Sequence, residues 1–120
     1  MDFDAAMQAH ASWRIRLTGY ANGISREKFD AGETGRDNLC DLGKWLHGEG
    51  KAELQGVPEY RQLVIAHAEF HRHAAAIIRA IDEGRADEAR RHLADPASDY
   101  RASSSRFVGL LQDLMGHAKI

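Results

Sequence analysis

From Tyr60 to Ile81 the side chains of Tyr60, Leu63, Val64, His67, Phe70, His71, Ala74, Ile77, Ile78 and Ile81 recur in an almost unbroken i, i+3, i+4, i+7 pattern. Only a helix gathers that spacing onto one face, and a stripe this long must be covered by neighbouring elements. Pro58 suits the first turn, where an N–H has no intrahelical partner, and Gly84 suits the end. The pattern predicts one long amphipathic helix between these two residues, packed against other helices.

The remaining chain keeps the same period. Phe3, Ala6, His10, Trp13, Leu17 and Tyr20 make the stripe of a first helix, about Asp4 to Tyr20, which Gly23 ends. The stretch ISREKFDAGETGR carries turn formers and weak periodicity, and reads as a loop with room for one helical turn. A second helix is predicted from about Arg36 to His47, with Leu39, Leu42, Gly43 and Leu46 on one side and Cys40 at its border. Thr34 or Asp37 would cap it, and GEG at 48–50 reads as a helix stop. A short helix near Ala86 to Leu93 ends before Pro96, and Ser98 or Asp99 opens a last helix that buries Phe107, Leu110, Leu111 and Leu114. Trp13, Trp45 and Phe70 read as core aromatics. The expected fold is all-α: an antiparallel four-helix-type bundle with an additional short helix.

With 120 residues the chain is expected to be a single domain over 1–120. A net charge of −2 leaves no electrostatic footprint for nucleic acid or an anionic membrane, and the RRH patch at 90–92 reads as a solvated helix face. Without a signal-peptide pattern or an apolar run near 18 residues, a soluble cytoplasmic protein is expected. Its one cysteine cannot form an internal disulfide, which leaves packing, metal ligation or redox chemistry.

Three of the seven histidines fall in HAEFHRHAA, residues 67–75. His67 and His71 are four apart, so they share a helix face one turn apart. Both interrupt the apolar stripe and therefore point inward, as His10 does in the first helix. A buried imidazole without partners costs about 1–3 kcal/mol. Most isolated HxxxH pairs are ordinary histidines, and most lone buried cysteines are small hydrophobes. Here Cys40 adds a fourth inward donor, and three imidazoles with one thiolate form a sensible tetrahedral set for Zn²⁺. His73 lies about 240° around the helix from His67, and His47 is two turns from Cys40. His92 and His117 have no partner at ligand spacing. Four protein ligands leave no position for a reacting water, and no Ser/His/Asp or phosphate-binding motif is present, so an enzyme is not expected. A hemerythrin-like di-iron bundle would need inward Glu-x-x-His pairs, which the bundle helices lack.

HASWR at 10–14, LCDLGKWLHGEG at 39–50 and HAEFH at 67–71 together resemble the chemoreceptor zinc-binding (CZB) family of bacteria. The tail PASDYRASSSRFVGLLQDL is similar to that family's last helix. The family usually has Lys where this chain has Arg14, which preserves the charge. The resemblance implies that His10, Cys40, His67 and His71 bind one zinc, the same four residues that the inward faces select. It also implies a regulatory sensor of zinc availability or of oxidants such as hypochlorous acid, acting through Cys40 in chemotaxis or cyclic-di-GMP signalling. A homodimer and a signalling output domain or partner protein are expected on the same ground. A structural-zinc dimerisation module is the alternative. In the sensor reading Asp41, Gly43, Trp45 and Leu46 shape how the second helix moves, and Gly43 permits close contact or local unwinding.

Overall fold

The computed structural model describes residues 2–118, and these are all-helical with no strand. Seven helices follow in order: α1 Phe3–Ala21, α2 Ala31–Thr34, α3 Asp41–His47, α4 Glu49–Leu54, α5 Pro58–Asp82, α6 Ala86–Ala94 and α7 Asp99–Ala118. The all-α expectation holds, with three long helices and four short ones where a single additional short helix was expected.

The long helices begin where the sequence places capping groups. Asp2 accepts the Ala5 N–H at the start of α1, and Pro58 occupies the first turn of α5. Ser98 accepts the Arg101 N–H at the start of α7. Gly23 and Gly84 adopt positive φ just beyond α1 and α5, the left-handed geometry that lets a helix stop without a Cβ clash.

The helix expected over Arg36 to His47 is broken. Asp30, rather than Thr34 or Asp37, caps a one-turn helix by accepting the Glu33 N–H at 2.9 Å, and Gly35 ends it. Residues 35–40 are then non-helical, and α3 starts only after Cys40. Asp37 and Asn38 lie in this stretch, and such residues offer the backbone local alternatives to the helix ladder. GEG does more than stop a helix. Gly48 closes α3, but α4 starts at once, and Gly50 tucks beneath the Trp45 ring, where a Cβ would sit 2.8 Å from two ring carbons.

Two apolar clusters form the core. Leu17, Phe70, Ala74, Ile77, Ile78, Leu93 and Tyr100 make one. Leu42, Leu46, Leu63, Ala66, Phe107, Leu111 and Leu114 make the other. On α5 the face runs Leu63, Ala66, His67, Phe70, His71, Ala74, so both histidines lie at the seam between the clusters. At seven residues α3 is too short to persist alone. Leu42 and Leu46 anchor it in the second cluster, and the Tyr60 hydroxyl donates to the Leu46 carbonyl at 2.6 Å.

Candidate metal centre

His67 and His71 are 2% and 4% exposed, as buried as the leucines around them. Cys40 meets them from the turn before α3, with Sγ 3.3 Å from His67 Nε2 and 3.6 Å from His71 Nε2. The two Nε2 atoms are 3.1 Å apart. A tetrahedral zinc with ordinary bond lengths has N···N edges of about 3.4 Å and N···S edges of about 3.6 Å. The three donors thus already form close to one face of such a tetrahedron. Without a cation, the thiol and one ring N–H supply at most two hydrogens for three mutual contacts. A single Lewis acid satisfies all three lone pairs together.

Each donor is prepared by its surroundings. The Thr34 carbonyl, left unpaired at the C-terminal end of α2, accepts from His71 Nδ1 at 2.8 Å. That bond fixes the proton on Nδ1 and turns the Nε2 lone pair toward Cys40 and His67. His67 Nδ1 is buried with no hydrogen-bond partner. Burial, with the neighbouring His71, lowers His67 to about 3, and the same two causes lower His10 to about 4. Burial also lowers His71, while the Thr34 carbonyl and Asp37 pull it back up. All three rings are therefore neutral at pH 7, the form that ligates metal. Burial pushes the Cys40 thiol up, against the Gly43 and Leu42 N–H groups that favour the thiolate. The sulfur therefore needs a cation beside it to ionise near neutrality.

Lowered histidines carry a stability consequence for the metal-free protein. In the unfolded chain they protonate near pH 6.5, but in the folded state only well below that, so acid favours unfolding. The stability they contribute is present above pH 6.5 and is lost as pH falls toward 4. Each strongly shifted ring costs roughly 1 kcal/mol per pH unit in that window, with Asp37 opposing the trend at His67 and His71. In excess chelator, thermal melts should show a clearly lower Tm at pH 5.5 than at pH 7.5. Equal values would count against neutral burial of these rings.

The structure brings Cys40, His67 and His71 together as one group of potential metal donors. His10 is beside them but outside that group. It is 8% exposed, its ring centroid lies 4.2 Å from that of Phe70 and 4.4 Å from that of Phe107, and its Nε2 is 2.7 Å from Ser104 Oγ. All four residues line one cavity of about 600 Å³ bounded by α1, the start of α3, α5 and α7. The other histidines lie elsewhere. His47 pairs with Asp37 at 3.0 Å, His92 is 3.7 Å from Glu88, and His73 is half-buried outside the group. The His117 side chain lies outside the described residues. Glu69 pairs with Arg106 at 2.8 Å and lies outside the cluster.

Several supporting roles differ from the sequence reading. Cys40 is not on a helix but is the N-cap of α3, its sulfur accepting the Gly43 N–H at 3.3 Å. The spacing from Cys40 to Gly43 was the available signal, since it is the distance of a cap to the third residue of the helix. Gly43 makes the close contact expected of it, though against the 37–38 backbone rather than another helix. Thr34 was weighed only as a cap and Ser104 not at all; neither carries a local signal.

No helix among the described residues is long and apolar enough to cross a membrane. Comparison with the curated proteins and with the solved structures finds no match. The family model described as chemoreceptor zinc-binding domain matches residues 10–78, a segment that starts at His10 and contains Cys40, His67 and His71. The chain belongs to the chemoreceptor zinc-binding domain family, a family of zinc-binding signalling domains, and Cys40, His67 and His71 form its possible metal site.

Proposed function

We propose that His10, Cys40, His67 and His71 hold one Zn²⁺, and that the chain is a cytoplasmic sensor domain, not an enzyme, whose signal arises at Cys40. The observation that carries this reading is the approach of the Cys40 sulfur to two buried imidazole nitrogens at 3.3 and 3.6 Å. His10 completes the set as the fourth inward donor on the same cavity. Bound there, zinc supplies the positive charge that keeps the sulfur as thiolate.

Cys40 is only partly buried and lines the cavity, so a small oxidant can reach it. Hypochlorous acid then oxidises the sulfur in a balanced step: the thiolate gains the hydroxyl oxygen and proton as sulfenic acid, the O–Cl bond breaks, and chlorine leaves as chloride. The oxidised sulfur is a poor ligand and a poor acceptor for the Gly43 N–H. It thereby releases the N-terminal hold on α3, a helix that depends on such anchors. The shift of α3 against α1 and α5, packed as a four-helix-type bundle, is the signal passed to an output domain or partner in chemotaxis or cyclic-di-GMP signalling. A homodimer is the assembly in which this occurs.

Native mass spectrometry with metal analysis, before and after hypochlorous acid, tests the reading. One zinc per chain in a dimer is expected, with oxidation at Cys40 and loss of zinc after treatment. Cys40→Ser should abolish the oxidant response while keeping most helicity, because a serine hydroxyl still caps α3. An undiminished response in that variant removes the redox proposal. The near-complete burial of His67 and His71 favours a second reading, a structural zinc in a dimerisation module. If chelation unfolds the protein instead of shifting α3, that reading takes over.

A further inference from the structure

Ser103, Ser104 and Ser105 follow one another on α7, but they do different things. Ser103 donates to the Tyr100 carbonyl of its own helix at 2.9 Å, and Ser105 is exposed. Ser104 alone crosses to another helix, reaching His10 Nε2 at 2.7 Å. The His10 ring is wedged between Phe70 and Phe107, so its two nitrogens cannot readily exchange places. When the hydroxyl accepts from Nε2–H, Nδ1 is the nitrogen left to carry the lone pair.

We infer that Ser104 is the positioning residue of the metal site: it accepts the His10 Nε2–H, fixes the tautomer, and makes Nδ1 the His10 ligand atom. This rests on the proposed role of His10 as fourth ligand. It gives the site a mixed donor pattern, Nδ1 from α1 against Nε2 from both α5 histidines. It parallels His71, whose outer nitrogen is held by the Thr34 carbonyl. Metal-bound histidines generally give their second N–H to such a partner, and removing the partner weakens metal binding about 10- to 100-fold. Ser104 also extends the site onto α7, beyond the segment 10–78 that the family model matches. Metal occupancy would then be felt along that last helix.

The test uses zinc titration against a competing chelator, together with long-range ¹H–¹⁵N correlation spectra of the zinc-loaded protein. Ser104→Ala should weaken zinc binding about 10-fold with unchanged helicity. Ser104→Thr, which keeps the hydroxyl, should restore it to within a few-fold. In wild type, His10 should show a protonated Nε2 and a metal-bound Nδ1. Ligation through Nε2, or Ser104→Ala binding zinc as tightly as wild type, overturns this inference alone. His10 signals that do not respond to zinc overturn the four-ligand reading, and the inference with it.

Discussion

Gly43→Ala is expected to lower zinc affinity about 100-fold while leaving the long helices intact. A Cβ at this position would lie 1.8 Å from the Asp37 carbonyl oxygen, 2.8 Å from its carbon and 3.2 Å from Asn38 Cα. These are backbone atoms, and backbone cannot swing aside as the end of a side chain can. Either the 37–40 turn lifts away or the first turn of α3 unwinds. Both routes move Cys40, because its sulfur is held by the Gly43 N–H at 3.3 Å and sits at the junction of turn and helix. Overpacking of this kind costs typically 1–3 kcal/mol, and more where backbone must move. Gly109→Ala on α7 is the control. Nothing lies within 4 Å of its would-be Cβ, so the change should leave zinc binding alone and add up to about 1 kcal/mol through helix propensity. Chelator competition and thermal melts on both variants check the pair. Zinc affinity within a few-fold of wild type in Gly43→Ala would show that the turn is free to relax.

The second large effect belongs to Phe70→Ala, with a loss of about 3–5 kcal/mol of stability. Phe70 is 1% exposed and joins the first apolar cluster, with ring centroids 4.2 Å from His10, 5.5 Å from His71 and 5.6 Å from Tyr100. Its removal opens a cavity at the seam of the two clusters and takes away one wall of the slot that holds His10. For a chain this size the Tm should fall by roughly 10–20 °C. Zinc binding should weaken in step, since a ring free to rotate no longer presents one nitrogen. Phe70→Leu keeps most of the volume and should lose less than half as much. Were the two variants equally stable, Phe70 would not be closing this slot.

The donor set was readable to different depths at different positions. His67 and His71 interrupt an apolar stripe at helical spacing, and that alone put them inside and side by side. His10 was readable as inward for the same reason. Which nitrogen His71 and His10 present was not, because that depends on Thr34 and Ser104, residues 37 and 94 positions away from the rings they hold. Cys40 was read as an inward donor on a helix, and it lies with His67 and His71 in one group of possible metal donors but as a cap in front of the helix. Its neighbours Leu39, Leu42 and Leu46 imitate a helix period across a break.

The amino-acid order by itself determined the all-helical class, the long α5 with its two inward imidazoles, and the glycine-ended limits of α1 and α5. These follow from local spacing and from backbone preferences that act within a few residues. The tertiary structure decided that α3 begins at a sulfur cap, that the 37–38 backbone rests on Gly43, and that the three donors close to within 3.6 Å. Each of those contacts joins residues whose approach is set by how separate helices pack, and no periodicity along one segment encodes the distance to another.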